Sequence, residues 1–190
     1  MQASLAATDL ACRRGERILF RRLSLSVGPR EVIHVTGANG IGKSSLLRIL
    51  GGLLRPFAGE VTRIGAVGLI DERPALDPDL PLGQALGFWR ALDAAPGADV
   101  PAHLEELLDV PVRYLSTGQK KRAALARLSA QRASIWLLDE PLNGLDRGGV
   151  GLVAEMVDGH RRSGGLCVLA SHQPFPLERM RVLDLAEFAA

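Results

Sequence analysis

The chain has 190 residues, 47% of them hydrophobic, and its 23 basic and 21 acidic side chains leave a formal net charge of +2. That length suits one domain with a core of its own, and so even a charge balance gives no polyanion footprint, so no nucleic-acid partner is expected. There is no basic-then-apolar leader and no apolar run of the roughly 20 residues that cross a bilayer, so the chain is expected to be cytoplasmic, with any membrane-spanning part supplied by other subunits. The two cysteines, Cys12 and Cys167, lie in separate apolar runs without metal-ligand spacing. They read as buried thiols in a reducing compartment.

Taken in chain order, Leu23, Leu25 and Val27 alternate with Ser24 and Ser26, the pattern of a strand with one wet face. Gly28-Pro29-Arg30 is a turn, and Val32 to Thr36 is a short apolar strand suited to a parallel sheet covered on both sides. Lys43 to Leu50 is a helix stopped by Gly51-Gly52. Val61 to Arg63 and Ala66 to Ile70 read as strands, and Asp71 to Pro81 as a loop holding Pro74, Pro78 and Pro81. Leu82 to Ala95 and Ala102 to Asp109 are helical, separated by Pro96-Gly97 and Pro101. With the strong helix over Thr117 to Gln131 they make a small helical subdomain over about residues 82–131. Ile135 to Leu138 is a buried strand, Arg147 to Arg162 a helix and Leu166 to Ala170 a strand, and a short helix and a strand close the chain. Alternating strands and helices predict an α/β fold with a largely parallel sheet.

Between the first apolar strand and its helix stands Gly37-Ala38-Asn39-Gly40-Ile41-Gly42-Lys43-Ser44, which fits the phosphate-binding pattern G-x-x-x-x-G-K-[ST]. Glycines let successive backbone N–H groups turn inward as an anion nest, and the helix behind adds its positive end. Residues 37 to 45, ending at Ser45, are therefore the expected nucleotide cradle. Lys43 would reach the outer phosphates and the Ser44 hydroxyl would ligate Mg²⁺.

Further on, the apolar run Ile135-Trp136-Leu137-Leu138 ends in Asp139-Glu140-Pro141. Two acids at the end of a buried strand are the usual partner of a phosphate loop. Asp139 would hold Mg²⁺, and Glu140 would polarise the attacking water.

The third segment is Leu115-Ser116-Thr117-Gly118-Gln119, directly before a long helix. Here the chain resembles the ATP-binding cassette (ABC) ATPases, whose signature is LSGGQ. The order of the three motifs is the family's, Asn143-Gly144-Leu145-Asp146 looks like the family's D-loop, and His172 matches its switch histidine. The resemblance implies a P-loop fold with a mostly parallel core sheet, an antiparallel β subdomain and a short helical subdomain. It implies ATP and Mg²⁺ as cofactors and hydrolysis of ATP to ADP and phosphate, with Lys43, Glu140 and His172 as the catalytic set. It also implies a second copy of the chain. In a head-to-tail pair, Ser116, Gly118 and Gln119 of one copy meet the nucleotide held by the other. Lys120, Lys121 and Arg122 crowd the positive end of their helix, where a polyphosphate would offset them or where they form a solvated basic face.

Two positions depart from the family pattern. Where many members stack an aromatic ring on adenine, this chain has Arg14, whose guanidinium plane could stack or simply occupy an exposed turn. The family's loop glutamine is missing as well. The matching loop is Asp71-Glu72-Arg73-Pro74, with Arg73 near the glutamine position. Arginine has no acceptor for a cation, so the oxygen would come from Asp71 or Glu72.

Within the family, Cys12 to Phe20, Leu50 to Pro56, Pro111 to Ser116 and Ser171 to Pro174 are similar to the ATP-binding subunits of bacterial cytochrome c maturation exporters. That resemblance implies integral membrane partner subunits, a place on the cytoplasmic side of the inner membrane, and a role in haem delivery or release. No haem is expected on this chain itself, because it has no C-x-x-C-H, and His34, His103 and His160 are isolated. A transporter with another cargo, a soluble ATP-driven switch and a non-hydrolysing binding module are the competing readings.

Overall fold

The computed structural model describes residues 2–93 and 100–189. Two strands open the chain, β1 (Ser4–Arg14) and β2 (Arg17–Val27), joined by a tight turn at Gly15-Glu16. With β4 (Ala58–Ile64) they form an antiparallel sheet in the order β2-β1-β4. The second sheet is wholly parallel. Its strands are β3 (Val32–Thr36), β5 (Val67–Ile70), β6 (Ile135–Asp139), β7 (Leu166–Ala170) and β8 (Arg181–Asp184), in the order β5-β6-β7-β3-β8.

Every residue of β6 and β7 is buried, as parallel strands covered on both faces require. One face packs on α1 (Lys43–Leu50) and the antiparallel sheet, through Phe20, Leu46, Leu47, Leu137 and Val168. The other carries α4 (Thr117–Ala130) and α5 (Arg147–Arg162), through Leu125, Leu128, Trp136, Val153 and Leu169. A third, smaller core lies away from the sheet. There Leu82 and Leu86 of α2 (Leu82–Leu92) meet Leu104 of α3 (Ala102–Glu105), Val112, Leu115 and Ala123. It is this cluster that seats the start of α4.

The sequence places β3, α1, α5 and β7 at their observed bounds. The first expected helix of the small subdomain ends at Leu92, the second at Glu105, and the Pro96-Gly97 break lies outside the described residues. Helix α3 is short because Leu107 and Val110 hydrogen-bond three residues back, in turns. At the end of the chain β8 comes first, followed by a single 3₁₀ turn.

Both cysteines are buried, and burial pushes the thiol pKa of Cys12 upward. His34 sits inside β3, its Nε2 3.3 Å from the Ser171 carbonyl, and His160 stacks flat on Trp136 with ring centroids 4.0 Å apart. His103 is exposed. Burial lowers the pKa of His34 and of His160 below the ordinary value of 6.5. Below that pH an unfolded chain takes up protons that the folded chain refuses, so stability falls as pH drops from about 7 to 5. His160→Gln is expected to flatten this fall, as read from urea unfolding at several pH values; an unchanged slope would be the contrary result.

Candidate nucleotide site

Strands β6, β7 and β3 are neighbours, and their register sets Asp139 level with Ala170 and Ala170 level with Val35. Their carboxyl ends therefore release three loops at one edge: the glycine loop after β3, the acidic pair at the end of β6 and the Ser171-His172 turn after β7. In parallel α/β sheets this edge is where ligands bind. A cleft of about 500 Å³ opens here, walled by Arg14, Leu19, Asn39, Gly40, Lys43, Ser44, Ser45, Glu72, Glu140, Asn143 and His172, among others.

Gly37, Gly40 and Gly42 take φ values of 132°, 77° and 119°, in the region that favours glycine. At Gly42 a Cβ would come within 3.1 Å of the Phe20 ring. Gly42 also caps α1 without any side chain accepting from the first turn, so the helix presents its N–H groups to whatever sits in the loop. Ala38 and Asn39 are exposed on the loop, and Ile41 folds back to hydrogen-bond the Ala38 carbonyl. Lys43 is buried, and its Nζ donates to the carbonyls of Gly37, at 2.8 Å, and Ala38, at 3.3 Å.

Asp139 is only 3% exposed, and its Oδ1 has no hydrogen-bond partner. Burial pushes its pKa up, the adjoining Ser44 hydroxyl pulls it down, and the carboxylates of Glu140 and Glu72 raise it further. A hydroxyl beside an orphaned carboxylate oxygen suits a small hard cation that draws its remaining ligands from phosphate and water. Among the described residues no cluster of three or more His, Cys, Asp or Glu could hold a metal by itself. Glu140 stands at φ 46°, and its Oε2 lies 3.0 Å from His172 Nδ1. With Nδ1–H donating, the imidazole steers the carboxylate. Arg14 lies at the cleft mouth, on the rim of the β1–β2 hairpin.

The loop after β5 sends its side chains to different places. Arg73 is not in this cleft; it lines a separate groove with Leu53, Leu69 and Trp89. Asp71 is engaged on both oxygens, by Arg48 at 3.2 Å and by the Arg73 backbone N–H at 2.9 Å. Of the loop's two acids, Glu72 walls the nucleotide cleft and Asp71 does not. The sequence leaves the oxygen to Asp71 or Glu72, because a loop carries no periodicity to show which side chain points inward.

Ser116, Gly118 and Gln119 do not wall this cleft. Ser116 caps α4 in a reciprocal box: Gln119 N–H donates to Ser116 Oγ at 3.2 Å and Ser116 N–H to Gln119 Oε1 at 2.8 Å. A Cβ on Gly118 would lie 2.6 Å from the Gly144 carbonyl oxygen, and Thr117 packs on Gly144. The signature thus sits against the D-loop segment and turns its exposed Ser116 outward.

The solvated-face reading of the basic run fails at Lys121. It is 7% exposed and donates to the Glu140 carbonyl at 3.1 Å. Burial lowers its pKa while Asp139, Glu72, Asp71 and Glu140 oppose that shift. Helical phase could have shown it, since Lys121 shares a face with the buried Ala124, Leu125 and Leu128.

The profile of the ABC transporter family matches residues 20–143. The chain belongs to that family. It is 59% identical, over 98% of both chains, to the cytochrome c biogenesis ATP-binding export protein CcmA of Novosphingobium aromaticivorans. It is 50% identical to the protein of the same name from Zymomonas mobilis, over 99% of this chain and 87% of that one. An ATP-binding subunit of an ABC transporter of known structure superposes with a TM-score of 0.77 at 22% identity, over 88% of this chain and 79% of that one, which bears on the fold alone. As an ABC ATPase the chain binds and hydrolyses ATP, and among its described residues no helix is long and apolar enough to cross a membrane.

If Glu72 and not Arg73 faces the reaction, Glu72→Ala lowers ATP turnover about tenfold while Arg73→Ala leaves it within about twofold. A steady-state ATPase assay of the two variants decides; the reverse ranking would return the position to Arg73.

Proposed function

We propose that this chain is the ATP-hydrolysing subunit of a cytochrome c biogenesis exporter, working on the cytoplasmic side of the bacterial inner membrane against integral membrane subunits and powering haem delivery or release. The observation that carries this reading is the end-to-end 59% identity to a protein of that name.

Two copies work head to tail. The residue 37–45 loop of one copy and Ser116 and Gly118 of the other enclose each ATP, which explains why a single chain builds the two halves on different walls. The inward N–H groups of Gly40, Gly42 and the first turn of α1 bind the β- and γ-phosphates, and Lys43 exchanges its loop carbonyls for phosphate oxygens. Ser44 and Asp139 would hold Mg²⁺, which when bound supplies charge neutralisation at the phosphates. Glu140 accepts the proton of the attacking water, and His172 keeps that carboxylate aimed. Glu72 orients the same water or the cation from the opposite wall. Arg14 stacks on the base at the mouth. ADP and phosphate leave when the signature no longer has a γ-phosphate to grip.

Lys43→Ala is expected to reduce turnover to background, measured as phosphate release. Glu140→Gln should retain ATP and trap a dimer visible on sizing with ATP and Mg²⁺. Pulled from solubilised host membranes, the trapped variant should carry cytochrome c maturation membrane subunits. A different membrane pair would change the cargo and keep the chemistry; only soluble partners would refute the transporter role.

A further inference from the structure

Glu140 carries the reacting carboxylate on an uncommon backbone. Its φ of 46° is one that few non-glycine residues adopt, so the surrounding structure has to hold it there. Three hydrogen bonds do so. Its N–H donates to the Ala170 carbonyl at 2.8 Å, and its own carbonyl accepts from the Asn143 N–H at 3.3 Å and from Lys121 Nζ at 3.1 Å. The first two are backbone bonds among the strand ends and the turn. The third comes from another element, α4, and from a side chain that is almost wholly buried.

The neighbours of that ammonium are equally specific. The carboxylates of Asp139, Glu72, Asp71 and Glu140 all act on it. It also walls a second cleft of about 350 Å³ with Asp71, Glu72, Thr117, Lys120 and Asn143. Glu72 and Asn143 wall the nucleotide cleft too, so the two spaces adjoin. Lys121 therefore stands where the signature helix, the acidic loop and the turn after β6 meet.

We infer that Lys121 is a positioning residue for ATP hydrolysis: its bond to the Glu140 carbonyl fixes the left-handed turn that aims the carboxylate, and it ties that aim to the place of the signature helix. The inference rests on the reading of Glu140 as the proton acceptor. Lys121 lies five residues beyond Ser116 on a continuous helix whose first turn is locked by the capping box. A displacement of Ser116 and Gly118 by the partner copy's nucleotide is carried along that rigid turn to Nζ and from there to the Glu140 backbone. Each site of the pair then reaches its hydrolytic geometry when the helix that serves the other site is in place.

The test compares Lys121→Met, which keeps the stem and removes the donor, with Lys121→Arg, which keeps a donor and a charge. Both are made in the full chain, isolated from host membranes with its membrane subunits, beside Glu140→Gln. Lys121→Met is expected to lower kcat about tenfold or more, to leave KM for ATP within about twofold and to leave the melting temperature undiminished. Lys121→Arg is expected to recover most of the lost kcat. A Lys121→Met enzyme with wild-type kcat, or a loss of kcat that follows a loss of melting temperature and is not recovered by arginine, would overturn the proposal. Full turnover in Glu140→Gln would instead remove the proton-acceptor reading beneath it.

Discussion

Parallel pairing of β6, β7 and β3 is the constraint on which the site depends. Parallel neighbours must be linked by crossovers, and their carboxyl ends then open on one side. The register puts Asp139, Ala170 and Val35 in one row across the sheet. The phosphate loop, the acidic pair and His172 are therefore brought to one edge by the core, where Glu140 and His172 then meet at 3.0 Å. The strands that hold them are buried on both faces, so hydrophobic packing sets the spacing on which the polar contacts, such as Glu140 with His172, depend. Asp139 shows what that costs: a carboxylate oxygen is held in the interior without a partner.

Most of this arrangement was readable beforehand because it is written in period and punctuation. Apolar runs of five residues marked β3 and β7, and Gly51 and the glycines of the loop marked where the backbone turns. The acids at 139 and 140 were found as the end of an apolar run. What escaped was side-chain direction in segments that lack a period. In the stretch 71–74, neighbouring residues line different clefts: Asp71 is paired with Arg48, Arg73 lines a separate groove, and Glu72 reaches the nucleotide cleft. Lys121 escaped for another reason. A charge on a helix is normally assigned to water, and its burial follows from tertiary contacts between α4 and the strand-end turn. The shortness of α3 was hidden as well, since the residues after it remain helix-like in composition while forming turns.

The signature and the phosphate loop are served by different parts of the molecule. The loop leans on the large core under the antiparallel sheet, through Phe20 and α1. The signature leans on the small core of Leu82, Leu104, Val112 and Leu115 and on the backbone of Gly144. The same helix α4 continues past the signature onto the central sheet through Leu125 and Leu128, so the two supports are joined. The contact between Gly118 and the Gly144 carbonyl leaves no room for a Cβ, so the two segments meet backbone to backbone. Thr117 shows that bulk is tolerated one residue earlier, where the side chain lies over Gly144 and not into it.

If residues 37–45 cradle the nucleotide as proposed, the ammonium of Lys43 has a consequence for product release. It is already satisfied by two carbonyl oxygens of its own loop. A phosphate that reaches it gains only the difference between a charged acceptor and a neutral one. That difference is greatest while the γ-phosphate is present. Once it has gone, the loop's carbonyls compete for the cation on better terms. On that reading the cradle carries its own internal competitor, one whose strength does not vary with the concentration of nucleotide in the cell, and the spent nucleotide would be held less firmly than the fresh one by the same residues.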